Sequence, residues 1–139
     1  MKALSIFILL TVFSFVYCTS ESDMVDGSDQ VAKTVTTEEF AELIRDNRDN
    51  PGFQIIDIRT PAEYNEVRLE NAINIDYYSE TFSDDLDELD KNKTYLVYCR
   101  SGNRGGMALS IFKELGFKTV YNMGGGIIKW ISEDRPVVE

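Results

Sequence analysis

The sequence predicts an α/β fold in which helices cover both faces of a central, mainly parallel β-sheet. Two observations support this prediction: short apolar runs alternate with segments of helical periodicity, and the connections between them are short. The length of 139 residues fits a single domain, since domains have roughly 100–200 residues. We place the folded domain at residues 34–139, after a segment of different composition.

The first 20 residues have the composition of an export signal. Lys2 is followed by a stretch without charge up to residue 20, and residues 6–16 are almost purely apolar. A basic start, an apolar run and then small or polar residues are typical of a secretory signal. Cys18 ends the apolar run and is a candidate lipidation site, although Tyr17 is larger than the residue that usually precedes a lipidated cysteine. A cleaved signal and a retained membrane anchor are the alternatives.

This interpretation implies an exported protein of the periplasm or cell envelope. Such a protein would touch a membrane only through its N-terminal segment, and a lipid on Cys18 would anchor it there. Residues 21–33 are acidic, contain Ser and Gly and lack periodicity, so they predict a flexible linker. Exported proteins usually pair their cysteines. Cys99 would be the one thiol left in the mature domain, and a lone free thiol points to reactivity.

Composition excludes several function classes. The chain has 14 Lys and Arg against 24 Asp and Glu, a net charge of −10, so nucleic acid is not an expected partner. It has no histidine, which excludes His-based acid–base catalysis, Ser-His-Asp and Cys-His arrangements and most zinc sites. We expect neither a metal nor an organic cofactor, and we expect so small and acidic a domain to be a monomer.

The domain begins with a predicted helix and a predicted strand. Thr36 and Glu39 have the spacing of a capping box, in which the threonine caps the helix and the glutamate reaches back. Apolar side chains follow on one helical face, and residues 50–52 (NPG) end the helix. Residues 53–58 (FQIIDI) form a short apolar run, as expected of a buried parallel strand.

The next thirty or so positions predict two helices around a short strand. A helix begins near Pro61, because proline is favoured in the first helical turn, and residues 72–75 can form a strand. Residues 80–90 are acidic and have apolar side chains at helical spacing. Their charges could bind a basic partner or a cation, but a solvated helix face is the interpretation that we favour.

Residues 94–98 (TYLVY) are the strongest strand signal in the chain and lead directly into a polar, glycine-rich loop at residues 99–106. A helix with an apolar stripe follows the loop. Residues 118–121 predict the last strand, and residues 124–126 (GGG) lead into an amphipathic segment that ends at Trp130.

The chemistry is concentrated at Cys99, directly after that strong strand. In an open parallel sheet, ligands bind at the carboxyl ends of the strands. Backbone amides of residues 100–105 can converge on the sulfur, the helix N-terminus adds a partial positive charge, and Arg100 and Arg104 add two full charges. Each effect favours the thiolate. We therefore predict an activated nucleophile in an anion-binding loop; the polar character of the loop argues against the alternative, a buried structural cysteine.

The segment YCRSGNRGG resembles the active-site loop of rhodanese-like sulfurtransferases. Three further segments resemble that family in the same order along the chain: residues 56–64 (IDIRTPAEY), 70–76 (ENAINID) and 120–130 (VYNMGGGIIKW). The resemblance covers residues 34–137 and implies a rhodanese-like three-layer domain.

The family carries a persulfide on its loop cysteine, so the resemblance implies that Cys99 is catalytic. The loop positions that would bind the substrate are Arg100, Ser101, Gly102, Asn103, Arg104 and Gly105. Asp57 and Arg59 match the Asp-x-Arg motif of the family and are expected to support the loop, with a purely structural ion pair as the alternative.

The chain departs from the family pattern at residues 66–71. Family members often have Gly-His-Ile-x-Gly-Ala there, whereas residues 67–72 of this chain are VRLENA. The missing glycines and histidine predict a different local turn at the rim of the pocket. In the closing segment, Gly125, Gly126 and Trp130 match positions that we interpret as packing.

The resemblance implies an enzyme like thiosulfate sulfurtransferase. Its partners would be a small anionic sulfur donor, such as thiosulfate, and a thiol or cyanide acceptor, with the sulfur carried on Cys99. A persulfide-binding or redox-sensing module without turnover is the alternative from another class; the cysteine with both arginines favours the enzyme. A cysteine-based phosphatase or arsenate reductase is the third interpretation. Cys99 and Arg104 enclose four residues, one fewer than such phosphatases have, and the tighter loop suits a single sulfur atom.

Overall fold

A computed structural model describes residues 29–139 as a three-layer α/β domain. The strands are β1 (Val31–Val35), β2 (Phe53–Asp57), β3 (Ala72–Asn74), β4 (Thr94–Tyr98) and β5 (Thr119–Met123). The helices are α1 (Thr37–Asp46), α2 (Pro61–Glu66), α3 (Phe82–Asp87), α4 (Asn103–Glu114) and α5 (Gly126–Ser132). The strands form one sheet in the order β1-β5-β4-β2-β3, and every pair of neighbours is parallel. The predicted fold class is confirmed.

The first strand begins inside the segment that the sequence predicts to be a linker. Residues 31–33 belong to β1, which pairs with β5 from Val31 opposite Thr119 to Val35 opposite Met123. The predicted boundary between residues 33 and 34 is therefore wrong. Since β1 lies at the edge of the sheet and only Val35 of its residues is buried, it lacks the apolar run that marks the inner strands.

The predictions for residues 1–20, for Cys18 and for the rest of the linker up to residue 28 concern positions outside the described residues. Between residues 29 and 139, no helix is both long and apolar enough to cross a membrane.

Two apolar cores lie on the two faces of the sheet. Because successive side chains of a strand point to opposite faces, Ile55 and Leu96 contribute to one core, and Ile56 and Val97 contribute to the other. Helices α3 and α4 cover the second core, to which they contribute Phe82, Leu86, Ala108 and Phe112. Helices α1 and α5 cover the first core with Phe40, Ile127 and Trp130, and Tyr64 of α2 packs at its margin.

Helices α1 and α2 begin with the same capping device. In α1, Thr36 Oγ1 accepts from the Glu39 N–H, and the Glu39 carboxylate accepts from the Thr36 N–H at 2.8 Å. In α2, Thr60 and Glu63 make the same reciprocal pair, with the Thr60 N–H 3.0 Å from Glu63 Oε2. Each such cap stabilises a helix by about 1 kcal/mol. The cap on α2 also fixes where the Glu63 carboxylate lies.

The segment at residues 66–71 makes its turn with an asparagine. Asn71 has a φ of 61°, and asparagine tolerates this left-handed conformation better than most residues do. Glycine, which the family pattern has at this position, adopts the same conformation readily, so the missing glycine does not by itself require another turn. Arg68 stands at the histidine position and pairs through its backbone with Val138, while its guanidinium lies 5.1 Å from the centroid of the Tyr64 ring. That the turn itself differs stays a prediction.

Candidate active site

Cys99 lies directly after β4, which is the central strand of the sheet. Arg100 and Ser101 are exposed, whereas Cys99 is only 1% exposed and packs with the core residues under α3 and α4. The expectation that a polar loop keeps the cysteine out of the interior is therefore wrong. The polar side chains of the loop lie on its outer surface. The loop itself folds over the end of β4 and covers the cysteine.

The sulfur accepts a hydrogen bond from the loop. The Gly102 N–H donates to Cys99 Sγ at 3.1 Å, and this is the one amide of residues 100–105 that bonds the sulfur. Gly102 has a φ of 93°, and a Cβ at this position would lie 2.9 Å from the Met123 carbonyl oxygen. A glycine is therefore required both by the conformation and by the close approach of β5. The predicted convergence of several amides reduces to this one contact.

Helix α5 holds the loop from its other side. The Ile127 N–H donates to the Cys99 carbonyl at 2.9 Å, and the Ile128 N–H donates to the Arg100 carbonyl at 3.1 Å. Gly126 allows this approach, since it has a φ of 59° and a Cβ there would lie 2.4 Å from the Arg100 oxygen. The interpretation of Gly126 as a packing residue agrees with this contact.

Asn122 of β5 is a site residue that the sequence analysis does not single out. It is 1% exposed, and its Nδ2 donates to the Gly102 carbonyl at 3.1 Å and to Thr34 Oγ1 at 3.0 Å. Its Oδ1 packs against Gly105, where a Cβ would lie 1.9 Å away. Asn122 therefore ties the Cys99 loop to both β5 and β1. The sequence did contain a signal for this residue, because Asn122 is the asparagine of the family-like closing segment at residues 120–130.

Arg104 makes an ion pair instead of presenting a free charge to the sulfur. Its Nη1 donates to Glu63 Oε2 at 3.2 Å and its Nη2 to Oε1 at 3.0 Å. The Arg104 guanidinium, assisted by the Thr60 cap, lowers the pKa of the Glu63 carboxyl from 4.5 to about 2. The pKa of Arg104 is raised, mainly by Glu63 and also by the nearby Cys99. The structure thus differs from the prediction of two uncompensated charges in the loop.

The outer surface of the site holds a cation and an aromatic ring. The exposed Arg100 side chain makes no ion pair within the described part of the chain. Tyr78 is 67% exposed, and its ring centroid lies 5.3 Å from the Arg104 guanidinium carbon. An open cleft of about 660 Å³ borders the loop on the side of Ser101 and Asn103. The solvent-facing side of the site therefore carries an exposed cation, Arg100, and an exposed aromatic ring, Tyr78.

Asp57, the last residue of β2, and Arg59, two residues further on, form a buried ion pair. They are 0% and 3% exposed, and Arg59 Nη2 lies 2.6 Å from Asp57 Oδ2. Arg59 also donates to the Val67 carbonyl, and its guanidinium lies 5.6 Å from the centroid of the Tyr98 ring. Neither side chain hydrogen-bonds residues 99–105 in the structure. The pair holds the turn at Val67 and packs on Tyr98, the residue before Cys99. That it supports the loop stays a prediction.

The described residues suggest no metal centre. Between residues 29 and 139, no group of three or more Cys, Asp and Glu side chains is placed to hold a metal ion. Chemically, the arrangement can hold the Cys99 sulfur beside the Gly102 N–H, with Arg104, which is paired with Glu63, near by.

Comparison with known proteins gives a consistent family match. The family described as Rhodanese-like domain matches residues 36–133. A sulfurtransferase of Allochromatium vinosum is 29% identical over 75% of this chain and 92% of its own length. The probable adenylyltransferase/sulfurtransferase MoeZ of Mycobacterium tuberculosis is 29% identical over 81% of this chain. A tRNA uridine(34) hydroxylase of Cytophaga hutchinsonii is 32% identical over 76% of this chain. The chain spans only 29% of the length of MoeZ and 34% of that of the hydroxylase.

Solved structures agree with this match. A rhodanese-related protein from Thermoplasma volcanium superimposes with a TM-score of 0.62 and 29% identity, over 76% of this chain and 97% of that one. A rhodanese-like domain protein from Staphylococcus aureus gives a TM-score of 0.58 and 28% identity, over 70% and 90% of the two chains.

Proposed function

The chain belongs to the rhodanese-like family, and we propose that it is a sulfurtransferase that carries sulfane sulfur as a persulfide on Cys99. The observation that carries this proposal is the Cys99 sulfur at the end of β4, bonded by the Gly102 N–H at 3.1 Å. The relative from Allochromatium vinosum, which this chain spans over 92% of its length, is named a sulfurtransferase and supports the same conclusion.

The proposed reaction has two displacement steps. The Cys99 thiolate attacks the outer sulfur of a donor such as thiosulfate; the bond between the two donor sulfurs breaks, and its electron pair leaves with sulfite. The outer sulfur of the Cys99 persulfide is then attacked by a thiol or cyanide, and the electron pair of the broken S–S bond restores the thiolate. No external oxidant or reductant is needed.

The residues around the sulfur have distinct roles in these steps. The Gly102 N–H and the N-terminus of α4 stabilise negative charge on the sulfur. Arg100 is exposed and has no carboxylate partner among residues 29–139, so it attracts the anionic donor. Asn122 and the first turn of α5 hold the carbonyls of Gly102, Cys99 and Arg100 in place, so that the loop does not have to reorganise during the reaction.

The phosphatase interpretation is disfavoured by the same contacts. A cysteine-based phosphatase needs its loop arginine free to clasp a phosphoryl group, whereas Arg104 makes two hydrogen bonds to Glu63. The loop between Cys99 and Arg104 also has only four residues. A persulfide-binding module without turnover has the same geometry as the enzyme, so turnover has to be measured.

A steady-state assay separates the three classes. The intact protein should form thiocyanate from thiosulfate and cyanide repeatedly, and Cys99→Ser should abolish this because an unactivated hydroxyl is a far weaker nucleophile. A single equivalent of thiocyanate without turnover would favour the binding module. Hydrolysis of an aryl phosphate without any thiocyanate would favour the phosphatase.

We also propose that the protein is exported, on the composition of residues 1–20. In its native host it should fractionate outside the cytoplasm, and Cys18→Ser should release it from membranes if Cys18 carries lipid. Membrane association that persists in this variant would favour an uncleaved anchor. Full-length chain recovered from the cytosol would contradict export.

A further inference from the structure

Glu63 places a fixed negative charge in the wall of the sulfur site. Its carboxylate accepts from the Thr60 N–H and Oγ1, both at 3.0 Å, and from the Arg104 guanidinium at 3.0 and 3.2 Å. Turning away from Arg104 would therefore also break the cap of α2. Since the pKa of Glu63 is about 2, the charge is present at every ordinary pH.

The consequence is that the arginines near the sulfur add one positive charge that no carboxylate of the described residues offsets, while the attacking Cys99 thiolate carries one negative charge. Arg104 is compensated by Glu63, and Arg59 is compensated by Asp57 at 2.6 Å. Only Arg100 among the three arginines of the site has no carboxylate partner in residues 29–139. The surrounding protein is acidic, with a net charge of −10. Because the attacking Cys99 thiolate is itself negative and offsets the charge of Arg100, the site repels a doubly charged donor more strongly than a singly charged one.

Tyr78 adds an exposed apolar surface next to Arg104. Its ring lies over Arg104 at 5.3 Å and against the edge of Tyr77 at 5.6 Å, with 67% of the residue exposed. The Tyr78 N–H donates to Asp76 Oδ1 at 3.0 Å, which fixes the turn that presents the ring. Aromatic surfaces of this kind bind uncharged organic groups.

We propose that the site selects singly charged sulfane donors that carry an apolar group, and that Glu63 determines this preference. The proposal rests on the proposed sulfurtransferase function. Organic thiosulfonates and the persulfides of organic thiols belong to this class. Thiosulfate, with two charges and no apolar group, is the disfavoured donor.

The transfer step is the same for either class of donor. With a thiosulfonate, the Cys99 thiolate attacks the terminal sulfur; the bond from that sulfur to the sulfonyl sulfur breaks, and its electron pair leaves with an organic sulfinate. With thiosulfate, the leaving group is sulfite. Both reactions give the same Cys99 persulfide, so a difference in rate reports recognition of the donor and intrinsic reactivity. The intrinsic reactivity of a donor is the same for every variant, so comparing variants with one donor isolates the effect on recognition.

The charge preference is tested with methanethiosulfonate and thiosulfate, which differ by a methyl group in place of one charged oxygen. Rates of persulfide formation on the intact protein are followed by mass spectrometry for wild type and Glu63→Gln. Glutamine also fits a capping box, so the variant removes the charge and keeps the cap. We expect the thiosulfate rate constant to rise about fivefold, as one freed unit charge at close range implies, with little change for methanethiosulfonate.

Glu39→Gln is the matched control, because Glu39 caps α1 in the same way and, among residues 29–139, hydrogen-bonds only Thr36. The ratio of the two rate constants should be unchanged in this variant. An unchanged or lower thiosulfate rate in Glu63→Gln would overturn the role of Glu63.

The preference for an apolar group on the donor is tested by a separate substitution, at the exposed Tyr78. Tyr78→Ala should lower the rate with benzenethiosulfonate relative to methanethiosulfonate, and an unchanged ratio would contradict the apolar preference even if Glu63→Gln failed to fold. Failure of the proposed function looks different, because wild type would then gain sulfur from none of the three donors.

Discussion

Gly102 combines two features that the Cys99 loop requires, a left-handed backbone and an N–H that donates to the sulfur. Gly102→Ala should destabilise the protein and slow persulfide formation, because the new Cβ meets the Met123 oxygen at 2.9 Å and the Gly125 nitrogen at 3.0 Å. We expect a loss of about 2–4 kcal/mol, the strain of a left-handed residue plus the clash. Urea denaturation measures it.

Gly116→Ala is the control for backbone strain alone. Gly116 also has a positive φ, 83°, but nothing lies within 4 Å of its missing Cβ. This variant should lose about 1 kcal/mol and keep its reactivity. Equal losses in the two variants would show that the close contact at Gly102 is unimportant.

Glu63 makes the stability of the protein depend on pH in a defined window. Its pKa falls from 4.5 to about 2 on folding, chiefly through Arg104. A lowered carboxyl pKa stabilises the folded state fully above pH 4.5, and this contribution is lost as the pH falls from 4.5 towards 2. The drop in the free energy of unfolding between pH 6 and pH 3 should therefore be smaller in Glu63→Gln than in wild type. An equal drop in both proteins would argue that the ion pair is not formed in solution.

Single residues of the site differ in how far the sequence could reveal them. Cys99 and its loop could be predicted from residue types, since glycines, arginines and a cysteine at a strand end have few other uses. The burial of Cys99 could not, because it depends on how the loop folds over β4. The pair of Arg104 with Glu63, 41 positions apart, depends on two helices that meet in space.

At the scale of elements, the site is assembled where β1, β5 and β4 end side by side. Asn122 of β5 connects Thr34 of β1 to Gly102 of the loop. Asn122→Ala should remove both hydrogen bonds that Asn122 Nδ2 donates, including the one to the Gly102 carbonyl. The expected loss of stability is about 1–3 kcal/mol. The substitution should also slow persulfide formation, because the loop loses a support. Urea denaturation and single-turnover kinetics measure the two effects.

Thr34→Val serves as the comparison for this prediction. It removes only the contact to β1, at an exposed residue, so it should change stability little and leave the kinetics intact. A kinetic defect as large as that of Asn122→Ala would place the important contact at β1 instead of the loop.

The elements themselves were predictable in proportion to their burial. Strands β2 and β4 are inner strands buried on both faces, so their apolar runs identify them. The edge strand β1 has one buried residue, so its sequence resembles that of a linker. Its position depends on hydrogen bonds to β5, which the sequence pattern does not reveal. Thr60 and Glu63 have the same capping spacing as Thr36 and Glu39, so the sequence did contain the signal that positions Glu63.

At the scale of the whole molecule, the ion pair of Glu63 with Arg104 joins the two layers of helices. Tyr64 of α2 packs toward one core, whereas Ala108 of α4 lies in the other. The pair therefore bridges the carboxyl edge of the sheet beside Cys99. The sequence established the layers and the loop, while the charge balance of the site follows only from this assembly.

The measurement that tests the central claim most directly is the mass of the peptide containing Cys99 after exposure of the intact protein to thiosulfate labelled in its outer sulfur. We predict that this peptide gains one labelled sulfur atom, that cyanide removes it as labelled thiocyanate, and that Cys99→Ser gains none. A Cys99 peptide of unchanged mass under conditions in which the folded protein turns over a phosphate ester, or label found on any other residue, would contradict the account.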